Sequence, residues 1–525
     1  MVVSSEQAAA VDSLEDLLSD IPRGRSADYV GMPSNAYFEH PRNLLATESL
    51  RFDPEKNKES KYFLGLVGGS VVTGTRLPDG RPNRWIEGGT PLGVGTDQHL
   101  MTLSYSRGGK GRAGLVPNMI LLPRETSVVC VDPKGDLARY TARWRADGLG
   151  QDWVGVLDPF RCSGSRTERF HCVYNPIETL LQSDWRTFVA NARMIADSLI
   201  VTSNPHEEHW SETAKQMCGG LCAHVATHVN YEGRRDLVTV WQLASELATP
   251  DPHNPQRYWL EEEMLANDAA GGMIRAAARQ FYDRTGGEFS SVLSNLRKHL
   301  DWISYECMAD VLRGDSIDLR DLKRKFVTLY VTLPALRMDA LRGWMRLLVQ
   351  MALVACEEER TLVGNQCVFV LDEFHALSKL SAVETAIAQV AGMGAKLHLV
   401  LQNLSQLNAY GKNCEIFIAN AGLVQILGCS GDTLEYISKQ LGQALTLTRS
   451  TNSPTFEQAA KQAATGESWS LANHPLMTAE EIGRYFARDD KKLRQLILRP
   501  GYRPMILQRA FYDKHELFQG KYDEE

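Results

Sequence analysis

Leu100-Met101-Thr102-Leu103-Ser104-Tyr105-Ser106-Arg107-Gly108-Gly109-Lys110-Gly111-Arg112 reads as a short apolar strand that runs into a glycine-rich basic loop, with a helix starting near Lys110. Glycines in such a loop let backbone N–H groups wrap phosphates, a lysine reaches the β- and γ-phosphates, and the helix N-terminus adds a positive field. Gly109 and Lys110 fit the pattern Gly-x4-Gly-Lys-Ser/Thr. Ser104 stands where the first glycine is usual, and Gly111 replaces the hydroxyl residue that ligates Mg2+. Ser104, Tyr105, Ser106, Arg107, Gly108, Gly109, Lys110, Gly111 and Arg112 are the candidate nucleotide-binding residues.

A second stretch completes the chemistry. Cys367-Val368-Phe369-Val370-Leu371-Asp372-Glu373 is an apolar strand ending in paired acids. An aspartate at a strand end holds Mg2+ directly or through water, and the following glutamate polarises the attacking water. Gln402 ends the next apolar run, Leu397 to Leu401, where a glutamine can sense a γ-phosphate or orient water. Adjacent parallel strands present their C-terminal ends to one crevice. Asp372 is therefore the candidate metal ligand, and Glu373 and Gln402 are the candidate catalytic residues of an NTP-hydrolysing site.

The pattern around these stretches is that of an α/β protein. Buried strands are predicted at Ser127 to Asp132, Trp153 to Asp158, Phe326 to Leu333 and Leu423 to Gly428, with a helix over Ala340 to Glu358. Gln495 to Leu498 and Pro504 to Leu507 read as a closing hairpin-like pair. From 181 to 318 the character changes: Phe188, Ala192, Ile195 and Leu199 recur at helical spacing, and no convincing β run appears. The predicted organisation is a polar lead-in over 1–60, a small β-rich region over 61–98, an α/β core over 99–180 and 319–525, and an all-α domain over 181–318. Residues 443–470, rich in Thr, Ser, Gln and Ala, read as a mobile loop.

The bulk numbers exclude several classes. A net charge of −7 argues against a polybasic coat, so nucleic-acid contact must come from a local stripe or a channel. Ten cysteines without a Cys-x-x-Cys pair read as reduced thiols in a cytosolic protein. No run approaches the ~20 apolar residues of a membrane span, so the expectation is a soluble chain, at most peripheral at the inner membrane through a partner.

These motifs carry a resemblance. Ser-Arg-Gly-Gly-Lys-Gly at 106–111, Val-Asp-Pro-Lys-Gly-Asp-Leu at 131–137, Asp158-Pro159-Phe160, Asn175-Pro176, Leu371-Asp372-Glu373-Phe374, Gln402 to Leu407, Tyr410-Gly411 and Ser438 to Gly442 are similar to the type IV secretion coupling proteins, the TraG/TraD conjugative DNA-transfer ATPases. The resemblance runs from about 90 to 515. It implies a RecA-like P-loop NTPase core with an inserted all-α domain. It also implies ATP and Mg2+ as cofactors and a homo-hexamer that moves single- or double-stranded DNA. Relaxase or other protein substrates and secretion-channel components are the implied partners. Gly111 is familiar in that family, whose magnesium shell then leans on water and phosphate oxygens. Two departures stand out. Such proteins usually carry N-terminal transmembrane helices, and many place a trans-acting arginine where this chain has Ala391. Arg107, Lys396, Arg342 and Arg346 are the candidate substitutes. The departures keep two alternatives open, a cytosolic DNA translocase of a mobile element or antiphage system, and a weakly hydrolysing adaptor that recognises protein substrates.

The remaining signals are weaker. His206-Glu207-Glu208-His209-Trp210 is not a zinc-protease helix, because Trp210 occupies the second histidine's position. Cys218 with Cys222, and His224 with His228, fall on different helix faces, as core and surface positions. Basic clusters at Arg139 to Arg145, Lys323 to Lys325, and Lys491, Lys492 and Arg494 are read as solvated faces, with DNA phosphate contact as the alternative.

Overall fold

The buried apolar runs become strands, and the computed structural model, which describes residues 36–202, 208–284, 286–451 and 467–524, groups them into two compact units. The first takes the described residues up to Leu122 with Val400–Tyr522, and the second takes Pro123–Leu399 with the last residues of the chain.

In the first unit six strands lie in the order Thr90–Val94, Tyr62–Val67, Met505–Gln508, Arg494–Leu498, Ala421–Ile426, His99–Leu103. All neighbours are antiparallel except the last pair, where Ala421–Ile426 runs parallel to His99–Leu103 with Ile426 opposite Leu103. The β run near the N-terminus therefore shares a sheet with the C-terminal hairpin. Every residue of His99–Leu103 is buried, which suits a strand covered on both faces. After the phosphate-type loop the chain turns helical through Gly111–Leu115 and Val116–Leu121. The Thr- and Ser-rich stretch expected as a loop instead forms a long antiparallel pair, Gln443–Thr451 with Glu467–Pro475, in register from Gln443 opposite Pro475 to Thr451 opposite Glu467. Thr is β-branched and favours the extended backbone, which the loop reading undervalued. Residues 452–466, also part of that expectation, lie outside the described residues.

In the second unit the strands are all parallel: Ala395–Leu401 (through Leu399), Cys367–Leu371, Val128–Asp132, Val327–Thr332 and Trp153–Leu157. They are Val- and Leu-rich runs with no exposed position, as parallel strands covered by helices must be. The helix Arg342–Glu358 is buried at every position from Gly343 to Cys356. Between Leu181 and Asp318 all helices and strands among the described residues are helices, from Phe188–Leu199 to Glu306–Leu312. Among the described residues no helix is long and apolar enough to cross a membrane. All ten cysteines are free.

Candidate functional site

The loop after His99–Leu103 is built by backbone hydrogen bonds and two close approaches. Ser104, fully buried, donates its N–H to the Leu401 carbonyl at 2.9 Å, and Tyr105 donates to Gly428 at 3.0 Å. Gly108 then folds back, its N–H on the Tyr105 carbonyl at 2.8 Å. A Cβ at Gly108 would stand 2.9 Å from the Tyr105 carbonyl oxygen and closer still to Ser104 Oγ, so this position demands glycine for space. Arg107 and Gly109 hold positive φ, +61° and +101°. Left-handed residues alternating with ordinary ones curl successive N–H groups into an anion-binding concavity. Added Cβ atoms at Gly109 and Gly111 would meet nothing within 4 Å, so the crest of the loop is open.

Arg509 braces the loop from below. It is buried and donates to the carbonyls of Arg494 at 2.9 Å, Phe486 at 2.8 Å and Gly108 at 3.3 Å. Burial lowers its pKa to about 10, which leaves it charged at neutral pH. Tyr105 is pinned as well. Its hydroxyl accepts the Arg488 N–H at 2.7 Å, and its ring closes on Gly428, where a Cβ would come to 2.5 Å. Arg112 points away from a ligand-binding role: its guanidinium pairs with both Asp513 oxygens, at 2.5 and 2.6 Å, and lies over Phe511. Gln402 follows Leu401 and so sits directly beside the first residue of the loop. Its N–H donates to Gln406 Oε1 at 2.8 Å.

In the second unit the acids stand where a parallel sheet presents them. Asp372 leaves Cys367–Leu371 with its N–H on the Val131 carbonyl at 3.2 Å. Glu373 follows in the left-handed region, φ +53°, with its N–H on Asp372 Oδ1 at 3.0 Å. The half-buried Glu373 carboxylate stands 3.5 Å from His375 Nδ1. The turn Phe374–Leu377 is held from behind by Arg342, which donates to the Ala376 carbonyl at 3.1 Å, and by Arg346. Arg346 is buried and donates to the carbonyls of Ser198, Leu377, Lys379 and Asp197. Both arginines had been candidates for a trans-acting role. Arg346 is locked in place, and Arg342 is engaged with Ala376 and Asp339. Lys396 is buried in its strand, and Arg107 is the exposed member of the four.

Asp132, which the site assignment had left out, ends the strand beside Asp372. Burial pushes its carboxyl up to about 7, with the Asp372 and Asp136 charges adding to the rise, although the Ala138 N–H donates to it at 3.0 Å. The signal was present in Val131-Asp132-Pro133-Lys134-Gly135-Asp136, which reads as an acid at a strand end followed by a turn.

Several members of the basic clusters are internal ties, while Lys325 and Lys491 are exposed. Arg145 is fully buried and donates to Thr126 O and Thr328 Oγ1, Arg139 to the carbonyls of Cys162 and Ser163, and Arg143 to Asp523. Lys323 is buried against the carbonyls of Cys356 and Glu359, and Arg494 pairs with Asp490. A positive charge count therefore overstated the surface available to phosphates. His206 and Glu207 lie outside the described residues.

Residues 58–525 match the family model described as type IV secretory system conjugative DNA transfer. The protein VirD4 of Agrobacterium fabrum is 28% identical over 383 residues, covering 70% of this chain and 53% of that protein. The conjugal transfer protein TraG of Escherichia coli is 26% identical over 410 residues, covering 74% of this chain and 61% of that one. The chain thus spans little more than half the length of these relatives. Among solved structures, the unbound bacterial conjugative coupling protein TrwBdeltaN70 aligns with a TM-score of 0.55 at 16% identity, over 83% of this chain and 90% of that one. The plasmid coupling protein TrwB in complex with the ATP analogue ADPNP aligns with a TM-score of 0.56 at 17% identity, over 79% and 86%. At such identities the likeness establishes the fold, an α/β P-loop NTPase core of RecA-like type.

Proposed function

The chain belongs to the type IV secretory system conjugative DNA transfer family, and on that premise we propose that it is an ATP-hydrolysing coupling protein that drives DNA, alone or with attached protein, into a secretion channel. The observation that supports this most directly is the loop Ser104–Arg112: a strand-to-helix turn with glycine imposed at Gly108 and an open crest at Gly109 and Gly111. TrwB, which shares the fold, has been solved in complex with ADPNP and in complex with ADP and Mg2+. The residues here fit the same cofactors. The open crest leaves room for phosphates, Lys110 stands at the first turn of the helix, and Asp372 at its strand end is a carboxylate of the type that suits a hard cation.

In this reading the loop amides and Lys110 hold the phosphates in one orientation, which removes most of the entropy from the reaction. Bound Mg2+ supplies charge neutralisation on the phosphate oxygens. Asp372 would hold the ion by its carboxylate, directly or through water, since Gly111 lacks the hydroxyl that the pattern usually supplies. Glu373 accepts a proton from the attacking water, from a position on the turn directly after the strand. Gln402 adjoins the carbonyl that anchors Ser104, so a change at the phosphates is passed to the strand behind the loop. Arg107, the exposed cation of the loop, is the residue to present to a neighbouring subunit's phosphate in a homo-hexamer. DNA, single- or double-stranded, a relaxase or other protein substrate, and channel components are the partners this activity requires.

The test is ATP turnover with and without DNA for the wild type, Lys110→Ala and Glu373→Gln. DNA-stimulated turnover that Lys110→Ala abolishes through loss of nucleotide binding, and that Glu373→Gln abolishes with binding intact, is the expected result. A wild type without turnover under any condition sinks the proposal and leaves the substrate-recognition adaptor.

A further inference from the structure

The helical region carries a cluster that nucleotide chemistry does not use. Helix Glu208–Thr227 presents His224 on its last turn, and His228 follows one residue past its end. Helix Trp259–Ala266 brings Glu263 up to both. The ligating atoms of these three side chains all lie within 4.8 Å of one another. Glu263 Oε1 stands 2.9 Å from His224 Nε2 and 4.0 Å from His228 Nδ1. His224 is fully buried, while the side chains of His228 and Glu263 keep 20% and 17% exposure, so the cluster is closed behind and open to water in front.

The surroundings support ligation. Asn230 Nδ2 donates to Glu263 Oε2 at 2.6 Å and the Tyr231 hydroxyl donates to Oε1, which fixes the carboxylate. On the far side of His224, Asn267 Nδ2 donates to Nδ1 at 3.0 Å and to Thr227 Oγ1 at 3.1 Å.

His228 Nδ1 accepts the Asn230 N–H at 3.3 Å, a bond that ligation would replace. At 4.0 Å, His228 and Glu263 are too far apart to bond to each other. Two ligands of one tetrahedral ion, each about 2.1 Å from it, stand roughly 3.4 Å apart. The observed 2.9 and 4.0 Å straddle that value, and all three ligating atoms lie within 4.8 Å, so movements of about 1 Å bring them onto one ion.

We propose that His224, His228 and Glu263 bind one divalent transition-metal ion, zinc by ligand type, with water in the fourth position, and that the ion staples the two helices together. Two imidazoles and one carboxylate are a zinc-type set, too nitrogen-rich for magnesium or calcium. Without the ion, Asn267 Oδ1 accepts the Ala269 N–H, so its Nδ2 faces His224 Nδ1 and the imidazole proton sits on Nε2, shared with Glu263. Binding at Nε2 moves that proton to Nδ1, with no net loss, and requires an acceptor where Asn267 now offers a donor. The consequence is specific: Asn267→Asp supplies that acceptor.

The experiment uses the full chain, free of any affinity tag and stripped with a chelator, titrated with Co2+ by visible absorption and then with Zn2+ in competition. One saturable equivalent is expected. His228→Ala should weaken it at least tenfold while lowering the metal-free melting temperature only slightly, through loss of its cap on the Asn230 N–H, and Asn267→Asp should tighten it. A wild type with no saturable equivalent, or His228→Ala binding Co2+ as tightly as the wild type, overturns the proposal.

Discussion

Alanine placed in turn at Gly108, Gly109 and Gly111 meets three different physical obstacles, and the expected results differ accordingly. At Gly108 the backbone φ is ordinary and the obstacle is space: the new Cβ meets the Tyr105 carbonyl at 2.9 Å and Ser104 Oγ more closely. The serine can rotate, but the carbonyl is held in the turn by the Gly108 N–H itself, so the loop must move. A misplacement of about 1 Å in a phosphate-holding loop costs on the order of a hundredfold in kcat/KM. At Gly109 space is free but φ is +101°, and a side chain there carries about 1–3 kcal/mol of backbone strain. At Gly111 neither obstacle exists. The P-loop pattern ordinarily carries Ser or Thr there, and alanine removes a glycine from a helix start, so the change should stay within about 0.5 kcal/mol, roughly twofold. Titration of a fluorescent ATP analogue, followed by steady-state turnover, reads all three. The reasoning fails if Gly111→Ala binds as poorly as Gly108→Ala, or if Gly108→Ala binds like the wild type.

Other expectations follow from buried charges. Asp132 has a folded pKa near 7, above its unfolded value, so stability present at acid pH is lost as pH rises through the carboxylate range toward 7. Asp132→Asn removes that loss and should gain roughly 2 kcal/mol more at pH 8 than at pH 5.5, seen as a larger rise in melting temperature; an equal rise at both pH values would refute it. Arg346→Ala strips the cation from four carbonyls and should cost about 3 kcal/mol of stability, read by thermal melting. Unchanged melting with abolished turnover would return Arg346 to a trans-acting role. Arg112→Ala should lower stability modestly, through loss of the Asp513 pair, and leave nucleotide affinity near wild type; a large loss of affinity would place its guanidinium on the phosphates.

Much of the core was legible because its signals are local. Val128–Asp132, Cys367–Leu371 and Val327–Thr332 are short apolar runs between turn residues, and parallel strands buried on both faces have to look like that. The stretch at 443–470 was misread for an equally local reason: small polar composition resembles a loop, and only cross-strand pairing shows that Gln443–Thr451 and Glu467–Pro475 form a ribbon. Basic clusters misled because charge is counted in sequence but spent in space. Arg145, Lys323 and Arg494 are directed inward onto carbonyls and carboxylates by elements far away in the chain.

The chain's own order of residues determined the chemistry on offer: a glycine-rich loop with Lys110, paired acids after an apolar strand, and Gln402 at the end of the next. These depend on residue type and short spacing, which backbone geometry converts directly into a turn or a strand end. The fold alone determined which cations remain exposed, that Asp132 lies beside Asp372, that Arg346 clamps the turn behind Glu373, and that Glu263 reaches His224 and His228. Each of those is a contact between residues far apart in sequence, set by packing of buried surfaces, and no local pattern encodes it.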